Sequence, residues 1–129
     1  MKVLGYGSSL KEGVSRKIIF SGKFSFFAPE HTIGEVKKYN KVIITKARIS
    51  SEELDILLSL IFDNINILPM RAYDKHLRRA NGLISDAGDV PFIALALALK
   101  ADGIWSEDKH FQQQNKIKIF RTDEMLKLI

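Results

Sequence analysis

The run VPFIALALAL, Val90 to Leu99, restricts what this chain can fold into more than any other segment. Ten consecutive apolar residues leave no polar side to give to water. Opened by Asp89 and closed by Lys100, the run reads as a helix buried almost all round. It is far short of the roughly 18 to 20 residues that a membrane span needs.

Short apolar runs bounded by turn residues alternate with longer helical patterns. Phe24 to Ala28, Ile65 to Leu68, Gly103 to Ser106 and Lys116 to Phe120 read as strands covered by helices. Helices are predicted over Val14–Ser21, Glu30–Tyr39, Ser50–Asn64, Arg71–Ile84, Asp89–Lys100 and Thr122–Leu128. Ser50 with Glu53 three residues on is a capping signature. In that helix Leu54, Leu57, Leu58 and Ile61 form one apolar stripe, and Ile56 and Leu60 add a second side. The helix is therefore either sandwiched or docked on a partner subunit. Thr122 is the expected cap of the last helix. The alternation predicts an α/β fold with a mainly parallel sheet.

The chain has 129 residues, which fits a single domain over 1–129. There is no internal repeat, linker or apolar leader followed by a cleavage site. The absence of cysteine excludes disulfides and thiolate zinc sites, and is compatible with a reducing compartment. A net charge of +5 favours a polyanionic partner such as RNA, and it also serves plain solubility.

Sites in open parallel sheets gather at the carboxyl ends of the strands. Acids stand where that rule expects them. Glu35 lies on the helix after the first aromatic strand, Asp89 opens the apolar helix, and Asp108 follows strand GIWS. Asp86 and Glu107 are close in sequence. Carboxylates brought to one edge repel unless a cation neutralises them, and oxygen donors select Mg²⁺ or Mn²⁺. Each acid also has a plainer reading: Asp86 and Asp89 as helix caps, Asp108 as a turn residue, Glu35 as a solvated helix residue. Arg71, Lys75, Arg78 and Arg79 make a basic face that either holds a phosphate backbone or is simply solvated. Phe24, Phe26, Phe27, Phe92 and Trp105 read as core. The histidines form no metal-spaced pair, and His31 is given no role. Gly7, Ser8 and Ser9 lack the Lys-Ser/Thr ending of a phosphate-binding loop.

The combination is more specific than its parts. Asp86 to Phe111 reads DAGDVPFIALALALKADGIWSEDKHF: an acid, a buried helix, and a strand ending in Ser-x-Asp-x-x-Phe at Ser106, Asp108 and Phe111. Upstream, Pro29 to Tyr39 reads PEHTIGEVKKY. In this order and spacing the segments resemble PIN-domain nucleases, over roughly Ser8 to Ile129. That family includes ribosome-processing endonucleases and the toxins of toxin–antitoxin pairs. The resemblance implies a three-layer α/β/α sandwich and Mg²⁺- or Mn²⁺-dependent cleavage of single-stranded RNA. It makes Glu35, Asp89 and Asp108 the metal-site acids, with Ser106 supporting them by hydrogen bonding and Asp86 beside them. It further implies a cytoplasmic protein, an antitoxin partner and, with the doubly apolar helix, a homodimer.

Two positions depart from the family pattern. PIN domains open with a central strand ending in Asp-x-Asn. Counting back from Leu10 puts those residues near Lys2 and Leu4, so the chain is expected to start too late to carry them. Met1 to Gly5, a partner's segment, or a longer natural chain would have to fill the sheet. The second departure is His110, where the family often has an acid. A degenerate domain that binds RNA or protein without cutting is the alternative these departures support.

Overall fold

The chain, seen in a computed structural model, is described over residues 1–4, 17–32, 45 and 48–129, without the side chains of Leu57 and Ile61. Its strands are β1 (Lys2–Leu4), β2 (Ser25–Pro29), β3 (Ile65–Leu68), β4 (Gly103–Trp105) and β5 (Ile119–Phe120). They form one five-stranded sheet in the order β3-β2-β1-β4-β5, and every pairing is parallel. The helices are α1 (Ser51–Asp63), α2 (Leu77–Asn81), α3 (Val90–Leu99) and α4 (Thr122–Leu126). Residues 17–19 and 31–32 are also helical. They belong to the helices predicted over Val14–Ser21 and Glu30–Tyr39, whose remaining residues at 14–16 and 33–39 lie outside the described residues.

The central strand is the chain's own. Val3 pairs with Phe26 on one side and Gly103 on the other, and Leu4 pairs with Phe27 and Ile104. Lys2–Leu4 therefore supplies the strand that the sequence left in question. Alternation along the strands divides the core between two sheet faces. Leu4 and Ile104 join the cluster built on α3 and α2, with Tyr73, Ala80, Ile93, Ala94, Leu95 and Ala96. Val3, Phe26, Ala28 and Trp105 join Ile18, Ile19 and Met125 on the other face. The result is the three-layer α/β/α sandwich with helices on both sides of a parallel sheet.

The apolar decapeptide is helix α3, and none of its residues is exposed. The N-terminus of α1 follows its signature, since Glu53 N–H donates to Ser50 Oγ at 3.0 Å. Ile56 and Leu60 of α1 are exposed. Trp105 is buried, and its Nε1–H donates to Thr122 Oγ1 at 3.0 Å.

Three expectations are corrected. The single helix predicted over Arg71–Ile84 is instead two 3₁₀ turns, Met70–Ala72 and Asp74–His76, followed by the short α2. Tyr73, at φ −135° and ψ 0°, leaves helical geometry where its ring enters the core. The buried positions Tyr73, Ala80 and Ile84 keep the expected face, and Arg71, Lys75, Arg78 and Arg79 are all exposed. Thr122 is not the cap of α4 but its first residue. Glu107 accepts the Thr122 N–H at 2.7 Å and Glu124 accepts the Arg121 N–H at 3.1 Å, freeing the Thr122 hydroxyl for Trp105. Finally, β5 starts at Ile119 rather than Lys116. The buried Gln114 side chain accepts the Ile117 N–H at 2.8 Å and donates to the Ile117 and Phe111 carbonyls, which holds this stretch in a loop.

Gly103 marks the tightest point of the sheet. A Cβ there would strike the Phe120 ring and come within 2.8 Å of the Lys118 carbonyl oxygen. Gly103→Ala is expected to lower stability by about 1–3 kcal/mol, the usual range for overpacking a filled core. Urea unfolding of the two proteins measures the difference, and an unchanged midpoint would contradict this packing.

Candidate metal centre

Helix α3 runs against the strands, so its N-terminus lies at the carboxyl edge of the sheet. The turn Asp86–Asp89 leads into it. Asp86 Oδ1 accepts the Gly88 N–H at 2.8 Å, and the Asp86 carbonyl accepts from Asp89 N–H at 3.0 Å and Val90 N–H at 3.2 Å. The Asp86 side chain thus shapes the turn. Asp89 stands at the cap position, but its side chain makes no capping hydrogen bond. Its Oδ2 is buried and has no partner among the described residues. A buried carboxylate oxygen left this way is costly and calls for an explanation.

The end of β4 supplies the other half. Asp108 N–H donates to Ser106 Oγ at 3.0 Å, and Asp108 Oδ1 accepts the His110 N–H at 2.9 Å. Asp108 is therefore the cap of the 3₁₀ turn Lys109–Gln113. Its Oδ1 is also 3.2 Å from His110 Nδ1, and Asp86 Oδ2 is 3.9 Å from the same nitrogen. Asp86, Asp89 and His110 each offer a donor atom within 4.8 Å of the other two. Ser106 thus holds Asp108, which in turn abuts His110.

Not every acid gathers here. Glu107 turns towards α4, where the Thr122 and Arg121 hydrogen bonds hold its carboxyl below the usual range. Glu35 lies outside the described residues. Lys2, which the sequence count placed at the family's first aspartate, sits at the opposite edge. Its backbone N–H donates to Asp102 Oδ2 at 2.7 Å, and Asp102 N–H donates back to the Lys2 carbonyl at 2.8 Å. The carboxyl end of β1 is Leu4, and the next residue in the chain is Gly5. Lys2 therefore lies at the amino end of β1, away from the edge that carries the cluster.

Two residues matter more than the sequence reading allowed. His110 was noted only as a departure, yet it is one of the three clustered donors. His31 was given no role, yet its Nε2 is 3.1 Å from the Gly88 carbonyl oxygen. Its one sequence signal is its place just past the carboxyl end of β2.

The electrostatics follow from this crowding. Burial, then the charges of Asp86 and Asp108, push the Asp89 carboxyl up to about 6, against the opposing influence of His110 and His31. Two carboxylates and an imidazole are donors that a divalent cation accepts, and the unpartnered Asp89 Oδ2 gives such an ion an oxygen with no competing bond. The residues present fit a divalent metal.

A parallel α/β sandwich with an acid–imidazole cluster at the carboxyl edge defines the class. A family model of the PIN domain matches residues 5–127, and the chain belongs to the PIN-domain family. No curated protein and no solved structure matches it. PIN domains are nuclease domains that generally use divalent metals, in keeping with the cluster found here. Among the described residues, no helix is long and apolar enough to cross a membrane.

The raised Asp89 value fixes a sign. The folded chain holds this proton more tightly than the unfolded chain does, so stability is lost as pH rises from about 4 to about 6. Asp89→Asn is expected to raise the melting temperature at pH 7 in chelator, with the gain vanishing below about pH 4. Thermal unfolding across pH tests this; a variant less stable than wild type at pH 7 would contradict it.

Proposed function

We propose that this chain is a divalent-metal-dependent endoribonuclease domain that cuts single-stranded RNA. The observation that carries the reading is the cluster of Asp86, Asp89 and His110 around a buried, unpartnered Asp89 oxygen at the carboxyl sheet edge. In this reading Asp86, Asp89 and His110 hold the metal. Asp108 stands against the His110 ring, its Oδ1 3.2 Å from Nδ1, and so fixes where the ring lies. Glu35 is carried over from the family resemblance as a further donor or water-orienting acid. A bound divalent ion would supply Lewis acidity towards the phosphodiester and an activated water.

The basic residues give RNA a path to this edge. Arg71, Lys75, Arg78 and Arg79 are exposed on the segment that leaves the carboxyl end of β3. Glu30, just past β2, accepts the Met70 N–H at 3.2 Å and so ties the start of that segment to the same edge. Phosphate contacts by such residues bind RNA without reading its sequence. The toxin role and an antitoxin partner rest on the family resemblance. A homodimer has the exposed Ile56 and Leu60 of α1 in its favour.

The donor set bears on the metal. An imidazole in place of an acid suits Mn²⁺ better than Mg²⁺, which prefers oxygen. Calorimetry is expected to give tighter binding of Mn²⁺ than of Mg²⁺, with His110→Asp narrowing the gap. An unchanged gap in the variant would remove His110 from the donor set.

Cleavage itself is tested with single-stranded RNA and Mn²⁺. Asp89→Asn and Asp108→Asn are expected to reduce it by about 100-fold or more relative to wild type. Equal cleavage by all three proteins would refute the enzymatic reading. A second reading, a module that binds RNA without cutting, is favoured by the two departures from the family pattern, Lys2 and Leu4 at the counted Asp-x-Asn positions and His110 in place of an acid. RNA binding with neither Mn²⁺ binding nor cleavage would establish it.

A further inference from the structure

The turn that presents Asp86 and Asp89 is not held by its own element alone. His31 lies on a different part of the chain, just beyond β2, and reaches across to it. Its Nε2 is 3.1 Å from the Gly88 carbonyl oxygen, so Nε2 carries the proton and donates it. Gly88 is the middle of the turn. Its N–H donates to Asp86 Oδ1 at 2.8 Å, and its carbonyl belongs to the peptide leading into Asp89. One ring nitrogen thereby contacts the last of the three peptides between the two acids.

The ring itself is locked. It meets Phe92 edge to face, with centroids 5.6 Å apart and planes at 71°. Phe92 belongs to the first turn of α3, so His31 grips the helix start on two sides at once. His31 Nδ1 is buried and has no partner among the described residues. A histidine used only as packing would not need to leave a ring nitrogen unsatisfied; a hydrophobic residue would fill the space more cheaply. The Gly88 hydrogen bond gives the imidazole a purpose that packing does not.

We infer that His31 is a positioning residue for the metal centre, holding the Asp86–Asp89 turn through the Gly88 carbonyl while contributing no ligand of its own. This rests on the metal-centre reading above. The consequence is specific. Losing the Nε2–H donor leaves Asp86, Asp89 and His110 in place chemically but lets the two acids wander relative to each other. Groups that orient metal ligands in this way typically change affinity by about 10–100-fold when removed.

The test is Mn²⁺ calorimetry on the full chain, with circular dichroism to confirm folding. His31→Phe keeps an aromatic ring against Phe92 and removes the donor; His31→Leu is a second donor-free variant should Phe not fold. His31→Gln supplies an N–H to the Gly88 carbonyl. The folded donor-free variant is expected to bind Mn²⁺ about tenfold or more weakly than wild type, and His31→Gln to recover most of that loss. A donor-free variant that binds like wild type would overturn the positioning role alone, leaving the metal centre intact. So would a Gln variant as weak as the donor-free one, since the ring would then act only as packing. A wild-type chain that binds no Mn²⁺ would overturn both the metal centre and the role of His31 in it.

Discussion

Covering α3 so that none of its residues is exposed sets the conditions for everything around it. A helix with no exposed residue pulls its own N-terminus inward, and Asp89 goes with it. The side chain neither caps the helix nor reaches a partner with Oδ2. Asp86 and Asp108 then stand close enough to raise the cost of its charge further. A carboxylate in this position is stable only as the acid, beside an imidazolium, or bound to a cation. The core packing of one helix and the chemistry at its mouth are thus a single constraint.

The sheet meets that constraint with very little chain. Three residues of β1 hold the centre, with Val3 serving one core and Leu4 the other. Because both neighbours pair with β1, the backbone groups of a buried parallel sheet are satisfied where they are most costly to leave open. Gly103 permits the close approach of the Phe120 ring to β4 on the far side.

Much of this was legible in the sequence. Runs of β-forming residues closed by Pro29 and Pro69 located β2 and β3 closely, and the apolar decapeptide located α3. Reading failed where tertiary contacts override local pattern. Tyr73 breaks a predicted helix in order to enter the core, and Gln114 folds a predicted strand into a loop. The cap of α4 was misread because its partner, Glu107, lies on another element. At the candidate site, the sequence points to Asp86, Asp89 and Asp108 by their place near strand ends and by the family resemblance, and the structure groups Asp86 and Asp89 with His110. His110 stands out in the sequence only as a departure from the family pattern, and His31 has no motif around it. Their contacts with the turn cross the fold: His110 with Asp86, and His31 with Gly88 from fifty-seven residues away.

The origin of the donors also bears on the departure at the start of the chain. Asp86, Asp89 and His110 all come from one continuous unit, the turn, α3, β4 and the turn after it. None comes from β1. β1, Lys2–Leu4, carries no acid, and what it shows is its pairing with β2 and β4. The cluster then depends on the packing of α3 beside β4 and, in the reading proposed above, on His31 from outside the unit. A change in the turn before α3 would move two of the three clustered donors together, because Asp86 and Asp89 stand three residues apart on it.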